Sequence, residues 1–204
     1  MADSVADSAA LKEQYEQGRH FTYADYKDWE LDQGERYEII FGEAYAMTAP
    51  NTYHQVILGE LFKQLAIYFT GKPCKVFPAP FDVRLFYEED ESDDTVVQPD
   101  ISVICDREKL GKEGCHGAPD FIVEILSPPN TAIEMERKNA LYREAGVSEY
   151  WVINPENKIL YSYRFSNGTI FPRTYKAADT AEPGIFPGLV VELEPVFSEY
   201  IPSE

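Results

Sequence analysis

Two short apolar segments of this chain each carry an acidic residue where a core strand would usually carry an aliphatic one. They are TVVQPDISVI, residues 95–104, which contains Asp100, and PDFIVEILSP, residues 119–128, which contains Glu124. An unpaired carboxylate is costly to bury, so a chain that places acids in two such segments must supply a partner or a cation for them. The fold therefore has to bring compensating charge to these positions.

The segment that follows Glu124 contains a candidate partner. A capping box of Thr131 and Glu134 opens a predicted helix over residues 131–145. On this helix Glu134 and Lys138 fall within the apolar stripe rather than opposite it. Seven helix residues rise roughly 10 Å, about the height of three strand residues. A helix that folds back along the strand would therefore set Lys138 level with Glu124.

The sequence thus permits Asp100, Glu124 and Lys138 to meet at one point. Two carboxylates and a backbone carbonyl, here that of Ile125, can hold Mg²⁺ or Mn²⁺ and leave positions for water and phosphate. Such a metal activates water, and the lysine orients the water or neutralises the reacting phosphate. The alternative is purely structural. Glu134 and Lys138 have the spacing of an ordinary helix ion pair, Asp100 could cap a turn, and Glu124 could pair with an arginine.

The order of the predicted elements favours an α/β or α+β fold. A helix is predicted over residues 51–70, and strands are predicted near residues 74–77, 81–87, 96–104 and 119–126. With the second helix, a further strand at EYWVI and flanking β-hairpins, this order implies a mixed sheet with helices packed on it. We expect residues 1–20 to be a loose acidic arm and residues 21–204 to be one domain.

Composition limits the setting in which the protein works. Of 204 residues, 44% are hydrophobic, and no apolar run approaches the roughly 20 residues that a membrane helix needs. Three cysteines without a C-x-x-C pair are too few for a disulfide framework and do not suggest structural zinc, so a reducing cytoplasm is the simplest location. The hairpin strands ILYSYRF and TIFPRTY carry aromatic residues on both faces, which predicts a homodimer that buries them.

The net charge of −18 restricts any nucleic-acid function. Nucleic-acid binders usually present a basic surface because neutralisation of phosphate dominates their affinity. This chain has no basic run, and EEDESDD, residues 88–94, is strongly acidic and is expected to be a solvated hairpin loop. Any binding of DNA should therefore be weak and should fade steeply with salt.

Six blocks of the sequence resemble the Uma family of putative restriction endonucleases, within the PD-(D/E)XK nuclease superfamily. Kept in the family's order over roughly residues 20–197, they are YEIIFGE, NTYHQVILGEL, QPDISVI, FIVEILSP, ERKNALYREAGVSEYWVIN and GIFPGLVVEL. The resemblance implies a restriction-endonuclease-like core with Asp100 and Glu124 as metal ligands. The superfamily usually has its lysine where Leu126 stands; in this family the lysine comes from the next helix, as Lys138. Glu134 stands where the family often has aspartate.

Three further acidic or basic residues are candidates for the same site. His54 lies on the apolar stripe of the helix over residues 51–70 and is either a satisfied core histidine or a site residue. Glu60 lies on the flank of that stripe, where the superfamily can add an acid to the metal site. Glu38 belongs to the block YEIIFGE and could equally have a structural role.

Two functions from different classes follow from these observations. The first is a metal-dependent endonuclease that hydrolyses phosphodiester bonds, in DNA, with Asp100, Glu124 and Lys138 as its catalytic set. The second is a catalytically silent module with the nuclease fold, acting in assembly or binding, which the net charge of −18 favours. A complete set of two acids and a lysine argues against full loss of activity.

Overall fold

The computed structural model describes residues 18–29, 35–127 and 132–198, with the side chains of 132–134 left out. Most of the arm predicted over residues 1–20 lies outside this part of the chain. Its helices are α1 Tyr23–Tyr26, α2 Thr52–Phe69, α3 Ala132–Ala145 and α4 Leu193–Val196. Within the described residues, no helix combines the length and the apolar character that crossing a bilayer requires.

The strands are mostly short and follow the predicted order. They are β1 Arg36–Ile40, β2 Glu43–Met47, β3 Lys75–Pro78, β4 Val83–Arg84, β5 Val96–Val97, β6 Ile101–Ile104, β7 Cys115–His116, β8 Phe121–Ile125, β9 Glu149–Asn154, β10 Ile159–Ser166, β11 Thr169–Lys176, β12 Thr180–Ala181 and β13 Val191–Glu192. A 3₁₀ turn, Arg107–Lys109, lies between β6 and β7.

The strands form two mixed sheets and one small ribbon in the described part of the chain. The larger sheet has the order β11-β10-β9-β8-β6-β3, and the smaller has the order β2-β1-β5-β4-β7. Strands β8 and β9 are parallel, and β6 is antiparallel to β8. The predicted fold class, a mixed sheet with helices and added hairpins, is confirmed, although the sequence analysis expected one central sheet where there are two.

The predicted strand over residues 96–104 is wrong as a single element. Strand β5 pairs with β1 and β4 in the smaller sheet, whereas β6 pairs with β3 and β8 in the larger one. Gln98, Pro99 and Asp100 lie between them. Because proline has no backbone N–H to donate, it interrupts a strand ladder readily. The break places Asp100 at the junction of the two sheets.

Helix α2 covers one face of the larger sheet. Asn51 caps the helix, its side chain accepting a hydrogen bond of 2.9 Å from the backbone N–H of His54. Ile57, Leu61 and Leu65 recur at helical spacing and are fully buried in a core that includes residues of β6 and β8. This packing fixes the first turn of α2 beside the start of β6.

Strand β8 divides its side chains between the two faces of the sheet. Phe121, Val123 and Ile125 belong to the core beneath α2, whereas Ile122 belongs to a second core that contains Tyr142 of α3. Because strand side chains alternate, Glu124 points to the same face as Ile122, toward α3. The acid of β8 and the helix that follows it therefore share one face.

Two expectations about charged and sulfur-containing residues need correction. Cys74 and Cys105 form a disulfide, with an S–S distance of 2.09 Å, beside the paired strands β3 and β6, while Cys115 is free and buried. The acidic loop over residues 88–94 is not wholly solvated either. Asp93 is buried and accepts two hydrogen bonds from the Arg84 guanidinium. The buried carboxylate of Asp93 requires the Arg84 guanidinium as its partner, and the sequence pattern alone did not predict this pair.

The outer strand of the larger sheet suggests how two copies associate. Strand β11 pairs only with β10 in the described residues, and Phe171 on it is 43% exposed. We predict a homodimer that covers this strand, so that light scattering returns twice the 23.3 kDa of one chain. Phe171→Glu should give monomers, whereas Ile67→Glu, at a more exposed position on α2, should not. A wild-type monomer at micromolar concentration would contradict the prediction.

Candidate active site

A cavity of about 340 Å³ lies where β1, β2, the start of α2, the end of β8 and α3 meet. Its described wall contains three carboxylates, three basic side chains and a histidine, together with the Ile125 backbone and apolar residues of the β1–β2 hairpin. The acids, bases and histidine of this wall are Arg36, Glu38, His54, Asp100, Glu124, Arg137 and Lys138.

The pairing of β6 with β8 brings the two predicted acids to this cavity. Ile101 is opposite Val123 in the antiparallel register, so Asp100, just before β6, lies near the carboxyl end of β8. The backbone N–H of Ile125 donates a hydrogen bond of 2.7 Å to Oδ2 of Asp100. Asp100 and Glu124 therefore line one cavity from adjacent strands.

Glu124 accepts two hydrogen bonds on the same oxygen. Lys138 Nζ lies 2.8 Å from Oε1 and the Tyr142 hydroxyl lies 2.6 Å from it. Burial raises the pKa of the Glu124 carboxyl to about 7, against the pull of Lys138, and the charges of Asp100 and Glu38 add to the increase. The pKa of Glu124 therefore lies close to neutral pH.

Lys138 is shared between two carboxylates. Besides Glu124, its ammonium contacts Oε2 of Glu38 at 3.2 Å, and Oε1 of Glu38 accepts a hydrogen bond of 3.0 Å from the backbone N–H of Gln98. Burial opposes the charged form of Lys138, but Glu124 and Glu38 outweigh it and raise the pKa of the ammonium well above its usual value. Lys138 is therefore a fixed cation and a poor base at neutral pH.

His54 is tied to the acidic centre by one of its two ring nitrogens. Nε2 lies 3.2 Å from Oδ2 of Asp100, while Nδ1 is buried and has no hydrogen-bond partner among the described residues. Burial lowers the pKa of His54, but the hydrogen bond and charge of Asp100 outweigh burial, and the pKa is raised. The reading of His54 as a fully satisfied core histidine is therefore not supported.

One predicted candidate, Glu60, is not in the cavity wall, and the side chain of another, Glu134, is not described. Glu60 bonds to Lys63 at 2.5 Å, accepts a hydrogen bond from Gln64, and is not in the cavity wall. It follows His54 by six helix residues, about 9 Å along the axis, which explains why only His54 reaches the centre. The side chain of Glu134 lies outside the described residues.

Sequence reasoning missed several residues that surround the acids. Tyr142 follows Lys138 by one helix turn on the apolar stripe. Its spacing from Lys138 could therefore have predicted a hydroxyl group near Glu124. Arg36 and Arg137 carry no such signal, because their approach depends on how the β1–β2 hairpin folds over α3. The pairing of Glu38 with Lys138 joins residues 100 positions apart and has the same origin.

The donor set suits a hard divalent cation. No group of three or more His, Cys, Asp or Glu side chains in the described chain is clustered closely enough to hold a metal alone. Asp100 and Glu124 nevertheless offer two carboxylates to one cavity, and the ammonium of Lys138 in the same wall is shared between Glu124 and Glu38. Mg²⁺ commonly binds one or two carboxylates and keeps several waters. The residues present therefore fit such an ion, with water completing its shell.

Comparison with known proteins identifies the family. The Uma2 model, described as "Putative restriction endonuclease", matches residues 23–194. The chain belongs to the Uma2 family. An uncharacterized protein of Synechocystis, slr1290, is 24% identical over 161 residues, which are 78% of this chain and 82% of that protein. The resemblance noted in the sequence is thereby confirmed.

A solved structure supports the fold independently of the Uma2 match. A putative nuclease belonging to DUF820 from Anabaena variabilis superimposes with a TM-score of 0.68 and covers 87% of this chain and 97% of its own. Its sequence identity is 19%, so the likeness establishes the fold and not the chemistry. The two comparisons together assign this chain to the Uma2 family and to the fold of that solved structure.

The raised pKa of Glu124 predicts a pH-dependent stability. The folded protein binds the proton on Glu124 more tightly than the unfolded chain does. The stabilisation that this proton provides is therefore fully present below about pH 4.5 and is lost as the pH rises to about 7. In metal-free buffer, the free energy of unfolding of wild type should fall across that pH interval by up to about 3 kcal/mol relative to that of Glu124→Gln. Denaturant unfolding at several pH values measures the difference; parallel curves for the two proteins would contradict it.

Proposed function

We propose that this Uma2 protein is a metal-dependent endonuclease that hydrolyses phosphodiester bonds, with DNA as its substrate. Asp100 and Glu124, with the backbone carbonyl of Ile125, would hold Mg²⁺ or Mn²⁺. The observation that carries the proposal is the ion pair of 2.8 Å between Lys138 and Glu124 in the cavity that Asp100 also lines. Acids from two adjacent strands and a lysine from the next helix form the set that the family's motifs imply.

Each protein group has a role that its surroundings permit. Lys138 acts through charge rather than as a base, because its pKa is raised. Its ammonium can face the negative charge that builds on the phosphate oxygens as water attacks. Glu38, fixed by the backbone N–H of Gln98, holds the ammonium at that place. When bound, the divalent cation would polarise the phosphate and lower the pKa of a coordinated water.

The surroundings of the acids favour charge stabilisation over ordinary structural pairing. The single ammonium of Lys138 is shared by two carboxylates, Glu38 and Glu124, and burial raises the pKa of Glu124. A buried ion pair kept only for stability would be expected to balance its charges. The excess of acid is therefore best explained by a cation that joins the site.

A second candidate function remains because of the surface charge. A net charge of −18 is unfavourable for approach to a polyanion, and a silent nuclease-fold module acting in assembly or binding needs no such approach. The two functions differ in their dependence on metal. A silent module has no reason to keep a cation site that controls stability.

The proposal includes the cellular compartment in which the protein acts. We expect the protein to act in the cytoplasm, as its composition suggests. The Cys74–Cys105 disulfide is the observation that weighs against this location, since reducing compartments seldom preserve such bonds.

Metal binding should stabilise the wild-type fold. A cation that binds only the folded state should raise the free energy of unfolding by about 2.7 kcal/mol at 100 times its dissociation constant. Thermal unfolding with increasing Mg²⁺ or Mn²⁺ measures this. Glu124→Gln should lose most of the response, whereas Glu144→Gln, at an exposed acid on α3, should keep it. An identical response from Glu124→Gln and wild type would favour the silent module.

Cleavage should require Lys138 and Glu124 separately. With Mg²⁺ present, Glu124→Gln and Lys138→Met should each reduce cleavage of DNA at least a hundredfold, since electrostatic groups of this kind contribute about 10²–10³ in rate. Lys138→Met should still respond to metal. It should also lose about 1–3 kcal/mol of stability in metal-free buffer, because Glu38 and Glu124 lose their shared partner. Retained cleavage in Lys138→Met would exclude the role assigned to the lysine.

A further inference from the structure

The wall of the larger cavity also carries a guanidinium stacked on an aromatic ring. The Arg137 guanidinium lies 4.6 Å from the centroid of the Tyr45 ring. The Arg137 Nη2 atom is also 3.5 Å from a carboxylate oxygen of Glu43, and the Tyr45 hydroxyl donates a hydrogen bond to the same carboxylate. Glu43 thus fixes both groups, and Arg36 lies on the same wall. Planar aromatic and guanidinium faces of this kind are the surfaces on which unpaired bases stack.

A second cavity shares part of its lining with the first. It encloses about 160 Å³, shares His54 and Ser127 with the larger cavity, and is also lined by Tyr53 and Asn154. His54 contacts Asp100, so the wall common to both cavities lies beside the acids. Each cavity has one tyrosine in its wall, and the acids of the proposed reaction centre line the larger cavity, where His54 joins it to the smaller one.

The size of these cavities discriminates between nucleic-acid forms. Pockets of roughly 300–1,000 Å³ enclose a single small ligand, and the larger cavity, at about 340 Å³, has the capacity for one nucleotide. A base inside a duplex is stacked and paired, and an enzyme that encloses it must first extrude it at a cost of a few kcal/mol. An unpaired strand avoids that cost.

The small number of basic groups in the cavity also favours a single strand over a duplex. Binding to a duplex commonly relies on about 6–10 phosphate contacts spread over a basic surface. The described wall of the larger cavity offers Arg36, Arg137 and Lys138, and Lys138 is already held by two carboxylates. In a protein of net charge −18, contacts to one or two phosphates must be supplemented by stacking, which single strands provide.

We infer that the substrate is an unpaired strand of nucleic acid, crossing from one cavity to the other with its scissile phosphate beside Asp100 and Glu124. One base occupies the cavity of Arg36, Tyr45 and Arg137, and the neighbouring nucleotide lies against Tyr53. This inference rests on the proposed nuclease function and narrows its substrate class. The stacking surface accepts DNA and RNA alike, so the sugar is left for the test.

The test compares one sequence as a single strand and as a blunt duplex. Steady-state cleavage with Mn²⁺ should show kcat/KM for the single strand at least tenfold above that for the duplex. Tyr45→Leu and Arg137→Met should each raise KM for the single strand about tenfold, the effect of losing one stacked base, with kcat within twofold. Arg143→Met, an exposed arginine on the same helix outside both cavities, should change neither constant. DNA and RNA strands are assayed in parallel to assign the sugar.

Equal or faster cleavage of the duplex would overturn the inference and leave the nuclease function intact. If neither form is cleaved, the nuclease function fails, and fluorescence anisotropy of labelled strands without metal decides the inference alone. Tighter binding of the single strand by wild type, weakened by Tyr45→Leu but not by Arg143→Met, would support it. Equal affinity for both forms, or no effect of Tyr45→Leu, would overturn it.

Discussion

The ammonium of Lys138, held between the carboxylates of Glu124 and Glu38, is the interaction on which the centre of this molecule depends. It links α3 to β8 of the larger sheet and to β1 of the smaller one. Without that cation, two buried acids would face each other in one cavity, at a cost that the fold would have to meet by protonating one of them. The ion pair therefore joins the two sheets and also sets the charge of the candidate active site.

The same interaction bears on how the proposed centre would take up first a cation and then a polyanion. Asp100 lies at the break between β5 and β6 and adds a third carboxylate beside the two that share the ammonium of Lys138. A divalent ion would remove that excess locally while the molecule as a whole stays at −18. Arg36 and Arg137, which line the same cavity, would then be available to an incoming phosphate. An acidic protein can in this way act on nucleic acid through a small enclosed site rather than through a broad basic surface.

The parts of the fold that follow from local pattern were predictable from the sequence. The rise of a strand and a helix placed Lys138 beside Glu124, and the helical spacing of Ile57, Leu61 and Leu65 defined α2. Properties that depend on distant chain segments were not predictable. The split at Pro99, the Cys74–Cys105 bond and the approach of Glu38 to Lys138 each join parts of the chain whose proximity only the tertiary structure reveals. Glu60 is the opposite case. Its position on the flank of the apolar stripe suggested a site residue, but it lies too far along α2 to reach the site.

Anomalous diffraction from crystals soaked in Mn²⁺ tests the central claim most directly. Mn²⁺ accepts the same carboxylate and water ligands as Mg²⁺ and can be located without ambiguity. The arrangement of side chains predicts one strong peak in the larger cavity, roughly 2.0–2.6 Å from a carboxylate oxygen of Asp100 and from one of Glu124, with Lys138 still in contact with Glu38. A saturating soak with no peak between these two acids, or with Mn²⁺ only on the acidic loop over residues 88–94, would contradict it.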